Sequence, residues 1–173
     1  MTHALRDLHT GILVGIGTIL SDNPKLTVRR TTTNADLSRS SSSSHPTPIL
    51  LDSSLRIPLH SHILTKRDDR DAPIIFMSAD HNNFATQEKK KALTALGCQV
   101  IVCPTTNDGS SSTLDLGFVL ETVLGLKIDS VMIEGGASVL TSCLLRPHVI
   151  DQVIVTISPC YVSNKETIFS YLN

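Results

Sequence analysis

The sequence predicts an α/β fold on a mainly parallel sheet, and three observations carry that expectation. Short apolar, β-branched runs recur along the chain, they are continuous rather than alternating, and helical patterns fall between several of them. Continuous runs mark strands covered on both faces. Strands alternating with helices pack as three layers, helix–sheet–helix.

The predicted strands, in order, are 11–17, 48–52, 72–78, 99–103, 130–134 and 151–158. A short helical lead-in over 2–9 carries Leu5 and Leu8 on one face. A helix over 86–96 opens at Thr86, a residue type that caps helices, and stops before Gly97. Apolar residues at helical spacing predict a helix over 114–126, after Thr113. Another, over 137–145, follows a Gly-Gly pair and ends before Pro147. The stretch 31–48 is rich in Ser and Thr without periodicity and reads as a flexible surface loop within one domain spanning 1–173.

A chain of 173 residues with 40% hydrophobic residues can bury a sizeable core, and with 3% aromatics that core rests on Leu, Ile, Val and Ala. A net charge of −1 leaves no electrostatic footprint for nucleic acid or an anionic membrane, so a small polar metabolite is the expected partner. Cys98, Cys103, Cys143 and Cys160 form no C-x-x-C pair and have no histidine at zinc-ligand spacing. They read as reduced thiols, no metal site is expected, and the expected compartment is the cytoplasm. Arg6 followed by the apolar stretch 11–20 mimics a signal peptide. The run is shorter than the roughly 20 residues of a membrane span, and a turn at Ser21-Asp22-Asn23-Pro24 follows it rather than a small-residue cleavage site.

Three strand exits hold the residues suited to ligand binding. At Ile133-Glu134-Gly135-Gly136-Ala137-Ser138 a buried strand runs through two glycines into a helix, whose N-terminal amides and positive dipole end suit a phosphate or pyrophosphate. The motif is neither G-x-G-x-x-G nor a Walker loop, and a tight turn without a ligand would account for it equally well. Glu134 stands where open α/β sheets take their ligands. At Gly15-Ile16-Gly17-Thr18, leading to Asp22, the spacing puts Thr18 and Asp22 on one side of a helical turn. At Asp52-Ser53-Ser54-Leu55-Arg56 hydroxyl and cationic side chains follow a strand, and Arg6 and Arg29 are candidate anion clamps.

Taken together, Arg6, the stretch GILVGIGTILSDNPKLTVR, then PILLDSSLRIP, SVMIEGGASVLTSCL and IDQVIVTISP resemble the reductases of riboflavin biosynthesis over nearly the whole chain. That resemblance implies a dihydrofolate-reductase-like fold, NADPH as cofactor, and reduction of the ribosylamino side chain of a diaminopyrimidinone 5′-phosphate to a ribitylamino one. It implies cofactor contacts at Thr18, Asp22, Ser53, Leu55, Arg56 and Gly135, Gly136, Ala137, Ser138 and Val139, and substrate contacts at Arg6, Leu26, Arg29 and Glu134. A homodimer is implied as well. No catalytic nucleophile is nominated, because the nicotinamide carries the hydride and the protein's task is to orient the two reactants.

Members of the family begin with a further strand ahead of the Arg6 helix and continue past the last residues of this chain. A shortened copy, open on its substrate side, is therefore the expectation. A non-catalytic cofactor-binding or oligomer-forming module is the alternative. A pterin or folate reductase on the same fold is less well matched, since the arginines suit a phosphate.

Overall fold

The computed structural model describes residues 2–28, 45–66, 70–81, 83–107 and 112–157. Five strands, β1 (Gly11–Gly15), β2 (Thr47–Leu51), β3 (Ile74–Ser78), β4 (Gln99–Cys103) and β7 (Val131–Gly135), form one parallel sheet in the order β4-β3-β2-β1-β7. A separate antiparallel hairpin pairs β5 (Thr105–Asn107) with β6 (Ser112–Leu114). The helices are α1 (Thr2–Arg6), α2 (Ile16–Asp22), α3 (His62–Thr65), α4 (Phe84–Ala95), α5 (Leu116–Gly125) and α6 (Ala137–Leu144). The architecture is the predicted one, a mostly parallel α/β sheet.

The side-chain period of two divides the core across the sheet. Ile12, Val14, Leu50, Ile75 and Met77 point to one face, where Ile16 and Ile19 of α2, Ile63 and Leu64 of α3 and Leu93 of α4 cover them. Leu13, Ile49, Ile74 and Phe76 point to the other, against Val119 and Val123 of α5 and Val139 of α6. Both faces of β1 and β3 are therefore closed, and every residue of these strands is buried. Phe76 is fully buried; covering a side chain of that size contributes about 1.5–3 kcal/mol. Pro48 has no N–H to donate, yet it is accommodated in central β2 because pairing with β3 begins only at Ile49.

Several boundaries differ from expectation for identifiable reasons. The lead-in helix stops at Arg6, and Leu8 is exposed. Strand β1 ends at Gly15, so Ile16 and Gly17 already belong to α2. Thr86 is not the cap of α4: Asn83 is. Its side chain accepts from the Thr86 N–H while the Thr86 hydroxyl accepts from the Asn83 N–H, a reciprocal capping box that starts the helix two residues early. Helix α5 is capped by Asp115, which accepts from the N–H groups of Gly117 and Phe118. Residues 113 and 114, expected at its start, instead belong to the hairpin.

The largest departure is at 151–158. Residues 151–157 form no strand and are exposed, Val155 at 74% and Ile157 at 86%. An apolar run becomes a strand only with a hydrogen-bonding neighbour, and β7, the sheet's last strand on this side, pairs with β1 alone among the described residues. Most of the Ser/Thr-rich stretch 31–48, with Arg29 and Cys160, lies outside the described residues; Thr47 and Pro48 are buried in β2. Among the described residues no helix is long and apolar enough to cross a membrane.

Candidate functional site

The carboxyl ends of β1, β2 and β7 lie side by side, and a cleft of about 760 Å³ opens there. Its lining joins the three strand exits: Thr18 and Asp22 from α2, Ser53 and Arg56 after β2, and Glu134, Gly136, Ala137, Ser138 and Val139 from β7 and α6. Open parallel sheets present ligand sites at this end, where helix N-termini converge. A second cavity of about 520 Å³ at the other end of the strands is lined by none of the expected site residues.

Helix α6 begins at Gly136, which supplies no side-chain cap, so its first-turn amides are left for a ligand or water. Gly136 sits at φ +60°, and a Cβ added there would stand 3.2 Å from the Thr18 hydroxyl oxygen. Glycine thus lets the backbone pass Thr18 at the cleft wall without closing it. Behind it, Gly15 makes room for α6, since a Cβ at Gly15 would fall 2.7 Å from Cγ2 of Val139. These features fit a cofactor carrying phosphates: uncapped amides, hydroxyls at Thr18 and Ser53, and the exposed guanidinium of Arg56.

The turn after β2 is built by Asp52, a residue not anticipated as part of the site. Its carboxylate is fully buried and accepts from the N–H groups of Arg56 and Ile57, both at 2.8 Å. Burial pushes this carboxyl above its ordinary range, against the opposing pull of those two donors. The turn passes through Leu55 at φ +51°, and Leu26 adopts φ +55°. Both leucine side chains are buried in the core, so these two expected contacts could reach a ligand only through main-chain atoms.

Arg6 and Glu134 meet directly. Arg6 Nε donates to Glu134 Oε1 at 2.5 Å and Nη2 to Oε2 at 2.6 Å, while Nη1 donates to the Thr27 carbonyl at 2.9 Å. The fork ties α1 to the end of β7 and to the segment following α2. The sequence expectation had Arg6 as an anion clamp and both Arg6 and Glu134 as substrate contacts; here each faces the other. Arg29 lies outside the described residues.

The lining also includes residues not anticipated as contacts, among them Ser21, Thr113, Leu114, Leu116 and Ser142. Thr113 and Leu114 arrive on the hairpin, whose short Thr-rich strands carry no strong periodic signal. Ser142 lies four residues past Ser138 on α6, a spacing that could have been read from the sequence. Cys103 and Cys143 are buried with thiols raised by desolvation, which leaves them unsuited to nucleophilic work.

Comparison with known proteins places this geometry. A family model described as the RibD C-terminal domain matches residues 1–172. The chain is 30% identical over 163 residues to the 2,5-diamino-6-ribosylamino-4(3H)-pyrimidinone 5′-phosphate reductase of Debaryomyces hansenii, covering 94% of this chain and 63% of that protein. It is 30% identical to the reductase of the same name from Methanothermobacter thermautotrophicus, covering 95% and 66%. The riboflavin biosynthesis reductase Rib7 of Saccharomyces cerevisiae superposes with a TM-score of 0.62 at 28% identity, over 87% of this chain and 59% of that one. The chain thus spans somewhat under two thirds of the length of these relatives. The fold is dihydrofolate-reductase-like, and the chain belongs to the RibD C-terminal domain family.

Proposed function

We propose that this chain is a single reductase domain that binds NADPH in the cleft at the ends of β1, β2 and β7. The reaction would be reduction of the ribosyl side chain of 2,5-diamino-6-ribosylamino-4(3H)-pyrimidinone 5′-phosphate to the ribitylamino product, the step for which the relatives are named. The observation that carries the reading is the uncapped N-terminus of α6 at Gly136, beside Thr18 at the wall of the cleft. When bound, the nicotinamide supplies the hydride. The chain's own residues then do three things. Amides of Ala137, Ser138 and Val139 receive cofactor phosphate. Thr18, Asp22, Ser53 and Arg56 hold its remaining polar groups. Arg6, Glu134 and the main chain at Leu26 orient the phosphorylated pyrimidine, with Arg29 as a further cation.

Titration of the purified chain with NADPH, followed by nicotinamide fluorescence, tests the reading. Saturable binding is expected, and it should be lost in Gly136→Val, whose side chain would occupy a strained backbone position beside Thr18. No saturable signal up to millimolar NADPH refutes the cofactor site. A second reading, a module that binds cofactor without turnover, is favoured by the exposed apolar side chains over 153–157 and an open sheet edge at β7 among the described residues. NADPH binding with no oxidation in the presence of the ribosylamino substrate would select it.

A further inference from the structure

We propose that His62 is a positioning residue for the cleft: through two hydrogen bonds to Asn23 it fixes the end of α2 that brings Ser21 and Asp22 to the cleft lining. The identity of the ligand rests on the function proposed above, while the latch itself is a property of α2 and α3.

Asn23 holds a backbone conformation that needs outside support. It ends α2 at φ 41° and ψ 54°, in the left-handed region, and its N–H donates to the Ile19 carbonyl at 3.1 Å. Asparagine tolerates that region better than most residues. Pro24 follows, however, and a residue ahead of proline favours an extended backbone. Such a conformation costs free energy and persists where its neighbours over-determine it. His62 is one such neighbour. Its N–H donates to Asn23 Oδ1 at 2.9 Å, and its ring Nδ1 lies 2.8 Å from the Asn23 carbonyl oxygen. A carbonyl only accepts, so Nδ1 carries the proton. The exchange serves α3 as well: the Ser61 side chain makes no capping bond, and the Asn23 carboxamide takes a first-turn N–H in its place. Helix α3 is itself a fixed point, because Ile63 and Leu64 are buried in the same cluster as Ile16 and Ile19 of α2. At the last turn of α2, Ser21 and Asp22 are exposed to the cleft, and the Ser21 hydroxyl donates to Asp22 Oδ1 at 2.5 Å. Neither Asn23 nor His62 is among the residues lining the cleft, so their effect on a ligand passes through that turn. Without the latch, Asn23 relaxes toward the extended backbone that Pro24 favours, and the turn carrying Asp22 loosens with it.

The test compares His62→Ala with His62→Asn in the 173-residue chain. Asparagine places an amide nitrogen close to where the imidazole Nδ1 stands and keeps a donor for the Asn23 carbonyl, whereas alanine removes it. NADPH affinity, read by nicotinamide fluorescence at a temperature where circular dichroism shows each variant fully folded, should fall about fivefold in His62→Ala. It should stay at the parent value in His62→Asn. Amide hydrogen exchange at Ser21, Asp22 and Asn23 should quicken in His62→Ala and remain parent-like in His62→Asn. A merely structural role would lower the melting temperature and leave the NADPH affinity of the folded protein unchanged. Asn23→Gly keeps the left-handed backbone accessible but removes the Oδ1 acceptor; it should weaken NADPH binding too, and stands in should His62→Ala fold poorly. Parent-like NADPH affinity in folded His62→Ala overturns the proposal, and so does a His62→Asn variant as weak as His62→Ala. A parent chain that bound no NADPH would refute the wider functional reading, and amide exchange would then decide the latch: unchanged exchange over the last turn of α2 in His62→Ala overturns it.

Discussion

At Asp52 a carboxylate with no exposed surface serves only its own chain, holding the N–H groups of Arg56 and Ile57 and so bending the main chain that presents Ser53 and Arg56 to the cleft. Desolvation dominates its titration and raises the folded-state pKa above the ordinary carboxyl value. A raised carboxyl favours folding in its protonated form. Its contribution is fully present below the unfolded pKa and is lost as pH rises through the folded value. The amide introduced by Asp52→Asn would mimic the neutral acid at every pH. The stability of the parent chain relative to Asp52→Asn should therefore decline as pH rises from about 4 toward neutrality, and level off above the folded pKa. Urea unfolding of both proteins across that range measures the difference. A gap that moved in the parent's favour with rising pH would mean that the two N–H donors outweigh burial.

Between elements, the decisive contact is α6 against β1. The 2.7 Å separation between a hypothetical Gly15 Cβ and Val139 Cγ2 means that any side chain at Gly15 must push α6 outward. Gly15→Ala should destabilise by about 1–3 kcal/mol through overpacking and should weaken NADPH binding, because the α6 amides move with the helix. Adding Val139→Ala removes the clashing methyl and should recover most of both losses. A double variant as impaired as the single would place the fault at β1 itself. The same comparison explains what was legible. Six apolar runs announced strands, and five became strands because each had a neighbour; the sixth, at 151–158, had the composition but no partner strand among the described residues. Composition reports that a segment can pair, whereas pairing is decided by tertiary neighbours. The three strand exits were legible because glycines and hydroxyls stand at the ends of apolar runs. The Arg6–Glu134 pair was not, since it joins residues 128 apart and charge alone names no partner. Asp52 was passed over for a related reason: its role lies in the backbone N–H groups it receives, which leave no mark in residue types.

For the molecule as a whole, one side of the sheet differs from the rest. The central strands are closed on both faces, yet β7 is only half-buried along most of its length and has a neighbour on one edge only among the described residues. Leu144 and Leu145 at the end of α6 are exposed, as are Val153, Ile154, Val155 and Ile157 further along the chain. An open strand edge together with exposed apolar side chains is a template for association with another polypeptide. The expected homodimer and less specific aggregation would both draw on such a surface, and they differ in how they respond to substitution. Sedimentation velocity over a range of concentrations should show the 173-residue chain associating, with Val155→Lys and Ile157→Lys together shifting it toward monomer. Neither position lines the cleft, so NADPH affinity should remain within about twofold of the parent. A variant as associated as the parent would clear 153–157 of any role, and the open edge of β7 would then be the contact to substitute next. Loss of NADPH binding together with association would instead mean that the cleft is complete only when another chain covers this side of the sheet.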